Sequence, residues 1–344
     1  MSMTCRRKTL LLAAGFFLAA APRLRAAPRF GAVPQPMIYG RDDRHDLYQV
    51  QARLQALAGS APALFYKEDV AIKGGTAYLK NGVYGKDYKL ESRERFYSEP
   101  DGAFCSGALI SPDVVATAGH CVTSAKDCRD TEFVFGFSLS RPDSSLSSVP
   151  ASEVYGCAGL IARKYTDNGQ DWSLVRLDRP VPNHPPLALD KDAHPRVGEP
   201  LFMIGYPSGL PAKVSENARI VSLSTSGYFS ADLDDAAGNS GSPVFDARTD
   251  LVEGFLVRGE PDFVKHGFIL LRPFGLYRRT TARCPDAGFA PNSNCAGEDV
   301  TEVGPILKAL SGLMFARSRP GVNVASTQKA LGRLKSAAGD FDGR

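Results

Sequence analysis

The sequence predicts an all-β fold, a barrel or a sandwich, with helix only near its two ends. Three observations carry this. First, from about residue 65 to about residue 275, short apolar stretches alternate with turn residues: Cys105–Ser111, Val114–Thr117, Glu132–Phe137, Leu160–Tyr165, Ser173–Leu177, Leu201–Tyr206 and Arg219–Ser224. Second, Pro243–Asp246 and Leu251–Val257 are joined by Ala247-Arg248-Thr249-Asp250, the signature of a hairpin. Third, helical spacing is confined to two places. Leu47, Val50, Leu54 and Leu57 recur every three or four residues before Gly59, predicting a helix over 47–58, and Val303, Ile306, Leu307, Leu310 and Leu313 form one stripe over 303–313. No internal repeat interrupts the pattern.

Taken in order, the chain opens with a targeting pattern. Arg6, Arg7 and Lys8 precede an apolar run from Leu10 to Ala20 that is too short for a stable membrane anchor. Small-residue cleavage sites follow at Leu24-Arg25-Ala26 and Arg25-Ala26-Ala27, so residues 1–27 read as a secretory signal peptide. Residues 28–64 read as an N-terminal extension, residues 65–313 as the main domain and residues 314–344 as a basic tail. No second apolar span follows the leader, so no stable membrane association is expected. The net charge of +4 is small and scattered, which argues against nucleic acid as a partner.

Removing the leader leaves six of the seven cysteines, and an even number in an exported chain points to disulfides. Spacing alone leaves the connectivity open. Cys284 and Cys295 lie close together in a loop-forming stretch. Cys105 and Cys121 flank one apolar segment, and Cys128 and Cys157 then form the third pair. No paired C-x-x-C knuckles occur, so neither a metal site nor a cofactor is expected.

Three motifs carry chemistry. Val114–Thr117 runs into Ala118-Gly119-His120-Cys121, where small residues allow close backbone approach and display an imidazole at a strand end. Asp171 leads the alternating strand Trp172-Ser173-Leu174-Val175-Arg176-Leu177 and places a carboxylate at its mouth. Gly238-Asn239-Ser240-Gly241-Ser242-Pro243 is a glycine-framed serine loop whose Gly238 and Ser240 N–H groups can turn toward one point. A serine hydroxyl is a weak nucleophile until a neutral imidazole takes its proton, and the imidazole needs a buried carboxylate to set its tautomer. Ser240, His120 and Asp171 supply those three roles. Ser242 is the rival nucleophile, but it lacks the preceding Gly-x frame.

These motifs, in the order His, Asp, Ser, resemble those of the trypsin-like, chymotrypsin-fold serine endopeptidases, and the Asn-Ser-Gly-Ser-Pro form resembles the bacterial branch that includes the glutamyl endopeptidases. The start Ile38-Tyr39-Gly40-Arg41-Asp42-Asp43-Arg44-His45 is similar to mature N-termini in that branch. The resemblance implies two antiparallel six-stranded β-barrels with the site between them and a closing C-terminal helix. It implies polypeptide substrates, a monomer, and a secreted or periplasmic location. It also implies a zymogen matured by loss of residues up to about Met37, and an oxyanion hole formed by the Gly238 and Ser240 N–H groups. Asp234, six residues before Ser240, takes the place of the pocket acid of enzymes that cleave after Lys or Arg. Val257 and Gly259 are expected to pair with substrate backbone. Phe255-Leu256-Val257-Arg258-Gly259 lacks the histidine with which glutamyl endopeptidases read acidic residues, leaving Arg258 as the alternative specificity charge. Asn239 is neutral where animal members carry an aspartate that pairs with a new N-terminus. A non-catalytic binding protein on the same scaffold is the competing reading.

Overall fold

The computed structural model describes residues 38–142, 144–167, 169–259, 262–266, 278–284 and 297–317. The expected signal peptide, Met37, Cys295 and the tail beyond residue 317 lie outside the described residues.

Two barrels make up most of the strands among the described residues. In the N-terminal one, seven strands run in the spatial order Cys105–Ser106, Ala63–Tyr66, Thr131–Val134, Val154–Tyr165, Asp171–Leu177, Val114–Thr117 and Ala108–Ser111. The first and last of these are two pieces of one predicted strand, divided at Gly107. There the chain passes from pairing with Ala63–Tyr66 to pairing with Val114–Thr117. The sheet is therefore six-stranded in substance and nearly closed. The C-terminal barrel orders Pro200–Gly205, Pro243–Asp246, Val252–Arg258, Glu298–Glu302, Tyr228–Ala231 and Lys213–Leu223. It closes because the first of these also pairs with the last. Arg44–Asp46 adds a seventh strand on Lys213–Leu223.

The period-2 pattern explains how one strand serves two cores. In Asp171–Leu177, Val175 and Leu177 join Leu64, Leu109, Val115 and Phe133 inside the N-terminal barrel, while Trp172 and Leu174 face the opposite way. In Pro200–Gly205, Leu201 and Met203 pack inside the C-terminal barrel with Phe229, Val244 and Val300, while Phe202 and Ile204 face out. The outward sets meet in a shared core with Val214, Phe245 and Phe255, and this packing holds the two barrels together. Gly304–Arg317 is the expected C-terminal helix. It carries Pro305 in its first turn, where a missing N–H is no loss, and Ile306 enters the shared core.

Near the N-terminus the structure differs from the sequence reading in two ways. The helix expected over 47–58 is a 3-10 turn at Leu47–Gln49 followed by an α-helix at Ala52–Ala58. Asp46 and Gln49 close a capping box around the turn, and Val50 and Gln51 are extended, so the apolar repeat bridges two short elements. The expected boundary at 64/65 also marks no break. Arg44–Asp46 belongs to one barrel and Ala63–Tyr66 to the other, and Leu54 and Ala58 lie in the shared core. Buried ions latch this segment: Lys213 pairs with Asp46 and Glu99, and Arg44 pairs with Asp42 at 2.8 Å.

Candidate active site

The end of Val114–Thr117 and the start of Asp171–Leu177 are adjacent in the ladder, with Ser173 opposite Thr117. That register brings Asp171 beneath His120. The Asp171 Oδ2 atom lies 2.7 Å from His120 Nδ1, and Oδ1 accepts the His120 backbone N–H at 3.0 Å. Asp171 is 1% exposed, whereas the His120 side chain is 36% exposed. One imidazole edge is therefore held by a buried carboxylate while the ring remains open to the cleft. Gly119 is required for this approach, because a Cβ there would lie 2.8 Å from Asp171 Oδ1.

The C-terminal barrel supplies the other half. The Asp171 N–H donates to Thr301 Oγ1 at 3.1 Å, and that hydroxyl faces the Asp171 carbonyl oxygen at 3.2 Å. The 238–243 loop leads into Pro243–Asp246 and lies against the strand that carries His120. The Ser106 N–H donates to the Ser240 carbonyl at 2.8 Å, Ser106 Oγ donates to the Gly238 carbonyl at 2.8 Å, and Thr117 Oγ1 donates to the Ser106 carbonyl at 2.6 Å. Ser106, fully buried, thus fixes the loop from the opposite barrel. The Cys105–Cys121 disulfide ties the Cys105–Ser106 strand to the turn that follows His120, and Cys121 Sγ lies 3.6 Å from the Ser240 carbonyl oxygen. Closing a loop of this size restrains the unfolded chain by about 3 kcal/mol. Cys128 and Cys157 form a second disulfide, and Cys284 is disulfide-bonded with its partner outside the described residues.

Within the loop, the Asn239, Gly241 and Ser242 N–H groups donate to the carbonyls of Ala236, Leu256 and Asn239 at 3.0, 2.7 and 2.7 Å. Among the described residues, the N–H groups of Gly238 and Ser240 have no acceptor. Two unpaired donors on alternate residues of a tight loop are what a developing oxyanion requires. Ser240 is partly exposed. Ser242 is fully buried and its hydroxyl faces Asn239 Oδ1 at 3.3 Å, which removes it from contention as the nucleophile. No hydrogen bond joins Ser240 Oγ to His120 in this structure. Serine–imidazole contacts commonly tighten only when substrate binds.

The predicted specificity residues separate. Val257 is buried against Leu64, Val115 and Phe133 of the N-terminal barrel, a register shift between Leu256 and Arg258 takes it out of the ladder with Glu298–Glu302, and Gly259 is exposed just past the end of its strand. Asp234 does not face the cleft. Its Oδ1 accepts the Tyr39 N–H at 2.8 Å and its Oδ2 the Asp43 N–H at 2.7 Å. Arg258 is also committed: Nε donates to Asp299 at 2.9 Å, a terminal nitrogen donates to the Gly169 carbonyl at 2.9 Å, and the guanidinium stacks on Tyr228. Sequence reasoning missed Ser106 and Thr301 as positioning groups.

Burial shapes the acid groups nearby. It pushes the Asp234 and Asp262 carboxyls up to about 7. Burial, with the neighbouring charges, also raises Asp235 and Glu298.

Two groups have ligand-like composition. Cys105, His120 and Cys121 cluster, but both sulfurs are in the disulfide. Glu199, Asp246 and Glu253 place oxygens within 4.8 Å of one another, with Arg248 bridging the first two. Burial and the Asp190 carboxyl beside it push Glu253 from an ordinary 4.5 up to about 8. A raised folded-state value favours the protonated form, so this stability is complete below about pH 4.5 and lost as pH rises through about 8. The melting temperature is expected to fall over that window, and Glu253→Gln to reduce the fall by roughly 2–4 °C in a pH series of thermal melts. Asp234, Asp262, Asp235 and Glu298, raised in the same direction by burial, add slope of the same sign.

Residues 105–252 match the trypsin-like peptidase domain. The chain is 30% identical over 138 residues to the snake venom serine protease catroxase-1 of Crotalus atrox, covering 38% of this chain and 50% of that protein. It is 22% identical over 158 residues to the glutamyl endopeptidase of Staphylococcus aureus (strain MRSA252), covering 44% and 43%. A solved structure of a Glu endopeptidase in complex with MPD aligns with a TM-score of 0.47 at 14% identity, covering 80% of this chain and 98% of that one. The chain spans about half the length of the curated relatives it matches. The matched domain and the two barrels that carry it make this chain similar to the trypsin-like, chymotrypsin-fold serine proteases.

Proposed function

We propose that the chain is an exported serine endopeptidase. The observation that carries this is the 2.7 Å contact between His120 Nδ1 and a carboxylate 1% exposed, beside a partly exposed serine in a loop with two unpaired N–H groups. In this reading Ser240 Oγ attacks the scissile carbonyl while His120 Nε2 takes its proton. Asp171 holds the Nδ1–H tautomer and stabilises the imidazolium. The carbonyl oxygen becomes an oxyanion accepting from the Gly238 and Ser240 N–H groups. Collapse breaks the C–N bond, His120 protonates the leaving amine, and an acyl-enzyme remains on Ser240. Water, deprotonated by His120, attacks the ester carbonyl. Its collapse releases the acid, and the proton returns to Ser240.

The leader at residues 1–27 and the disulfides support passage into an oxidising compartment, secreted or periplasmic. Among the described residues no helix is long and apolar enough to cross a membrane. Maturation near Met37 would leave the N-terminal latch intact, because Asp234 is engaged by the backbone N–H groups of Tyr39 and Asp43 and needs no free amine.

The test is mass-spectrometric cleavage profiling of a denatured protein mixture with the purified protein and its Ser240→Ala variant. Cuts present with the first and absent with the second are expected. Their absence from both would favour a binding role for the scaffold.

A further inference from the structure

Glu253 plays no part in the catalytic chemistry, and its placement is unusual for an acid. It lies in the buried strand Val252–Arg258, is 2% exposed, and its Oε2 atom has no hydrogen-bond partner among the described residues. Burying a carboxyl oxygen without a donor is costly, so such a group calls for a partner. A bulge sets its direction. Val244 pairs with Gly254 and Phe245 with Val252, so Glu253 is the extra residue of its strand and stands out of the ladder. Bulges re-aim the side chains they carry.

The carboxyl is aimed at others. Glu199 and Asp246, both buried, bring oxygens within 4.8 Å of it and of each other, and Asp190 stands beside it as a fourth carboxyl. The four come from two segments. Asp190 and Glu199 lie in the chain entering the first strand of the C-terminal barrel, and Asp246 and Glu253 flank the 247–250 turn. Backbone N–H groups hold three of them in place. Arg196 donates to Glu199 Oε2 at 3.2 Å, Asp192 to Asp190 Oδ1 at 2.9 Å, and Arg248 to Asp246 Oδ1 at 2.8 Å. The Arg248 guanidinium contacts Asp246 and Glu199 from the solvent side, with its side chain 62% exposed. It makes no ion pair with Glu253 among the described residues, so the deepest carboxyl is left without a cation.

The donor set points to the kind of ion. Oxygens about 2.3–2.6 Å from a calcium ion lie at most about 4.6–5.2 Å apart across it. The three carboxyls fit inside that span, and they offer oxygen only, which suits a hard cation. Calcium accepts an irregular, carboxylate-rich set, whereas magnesium demands near-ideal octahedral geometry and keeps several waters. The lack of paired cysteine knuckles bears on thiolate sites and not on this one.

We infer that Glu199, Asp246 and Glu253 form a calcium site, with Asp190 at its edge, that ties the chain between the barrels to the hairpin following the serine loop. Arg248 is the exposed residue that the ion displaces from the cluster. The site stands at the far end of the strand Pro243–Asp246 from Ser240, so its effect falls on stability and not on the chemical step.

The experiment uses the purified full chain carrying Ser240→Ala, so that self-cleavage cannot mimic a loss of stability, stripped with a chelator and held at one pH. Calcium chloride is titrated by calorimetry, and thermal melts are run with calcium, with magnesium and with chelator. One calcium per chain is expected, with a Kd on the order of 10⁻⁴–10⁻³ M. At about tenfold above Kd the melting temperature should rise by about 3–6 °C. Glu253→Gln and Glu199→Gln should each abolish that rise, and Arg248→Ala, at an exposed position, should tighten binding by about threefold or more by removing the competing cation. No calcium binding by the folded parent would overturn the inference, as would binding that persists in both glutamine variants. An equal rise with magnesium would also overturn it, since that marks diffuse charge screening. A weaker affinity in Arg248→Ala would contradict the placement of the ion even if both glutamine variants failed to fold. None of these outcomes depends on the endopeptidase reading.

Discussion

Replacing Ser240 by Ala is expected to lower kcat/KM on the order of 10⁶-fold, and replacing Asp171 by Asn on the order of 10⁴-fold, with both proteins folded. The two losses have different origins. The alanine removes the atom that forms the acyl bond, so what remains is whatever the two backbone N–H groups of the loop do for direct attack by water. The amide keeps the shape and most hydrogen bonds of Asp171 but cannot stabilise an imidazolium, and it favours the wrong His120 tautomer. Asp171 also accepts the His120 backbone N–H at 3.0 Å and is clamped by Thr301, so Asn at this position should leave the backbone in place. Steady-state kinetics on one peptide amide, paired with thermal melts, checks both. A loss below about tenfold for Asp171→Asn would remove the carboxylate from the mechanism.

Gly241→Ala is expected to destabilise the fold by about 2–4 kcal/mol and to cost about a hundredfold or more in kcat/KM. Gly241 has φ +88°, where L side chains are strained. Its Cβ would fall 2.2 Å from the Ser106 carbonyl oxygen, 2.3 Å from Thr117 Oγ1 and 2.9 Å from the Ala118 nitrogen. Two of those atoms are backbone in the strands that carry the disulfide and His120, so no side-chain rotation relieves the overlap. The loop must retreat, and Ser240 is the adjacent residue. A displacement of about 1 Å suffices for the kinetic loss. Calorimetry and kcat/KM together check this. Wild-type stability in the variant would mean that the loop does not pack on Ser106.

The part of this site visible in the sequence is the part written in contiguous residues. His120, Asp171 and Ser240 each sit in a short frame whose glycines or strand alternation have a local physical meaning. The strands were visible for the same reason, since period-2 stretches such as Asp171–Leu177 need no distant information, whereas their closure into two barrels was implied by the family resemblance and not by the pattern. What was hidden depends on long separations in sequence. Ser106 meets Gly238 across 132 residues and Thr301 meets Asp171 across 130, and no local pattern marks either. The acidic run containing Asp232, Asp234 and Asp235 is the clearest case. Spacing from Ser240 pointed to Asp234, but the N–H groups of Tyr39 and Asp43 take both its oxygens, and its neighbour Asp235 is left facing Gly259. Alternation places successive residues on opposite sides of a chain, but it does not say which side a segment nearly 200 residues away will occupy.

The most direct measurement is the intact mass of the purified protein after reaction with a fluorophosphonate, followed by peptide mapping. One adduct on Ser240, formed by the wild type and lost in His120→Ala, is the predicted result, because phosphonylation needs both the imidazole base and the unpaired N–H donors. No adduct on properly folded protein, or an adduct on a different residue, would contradict the assignment of Ser240, His120 and Asp171 as one catalytic unit.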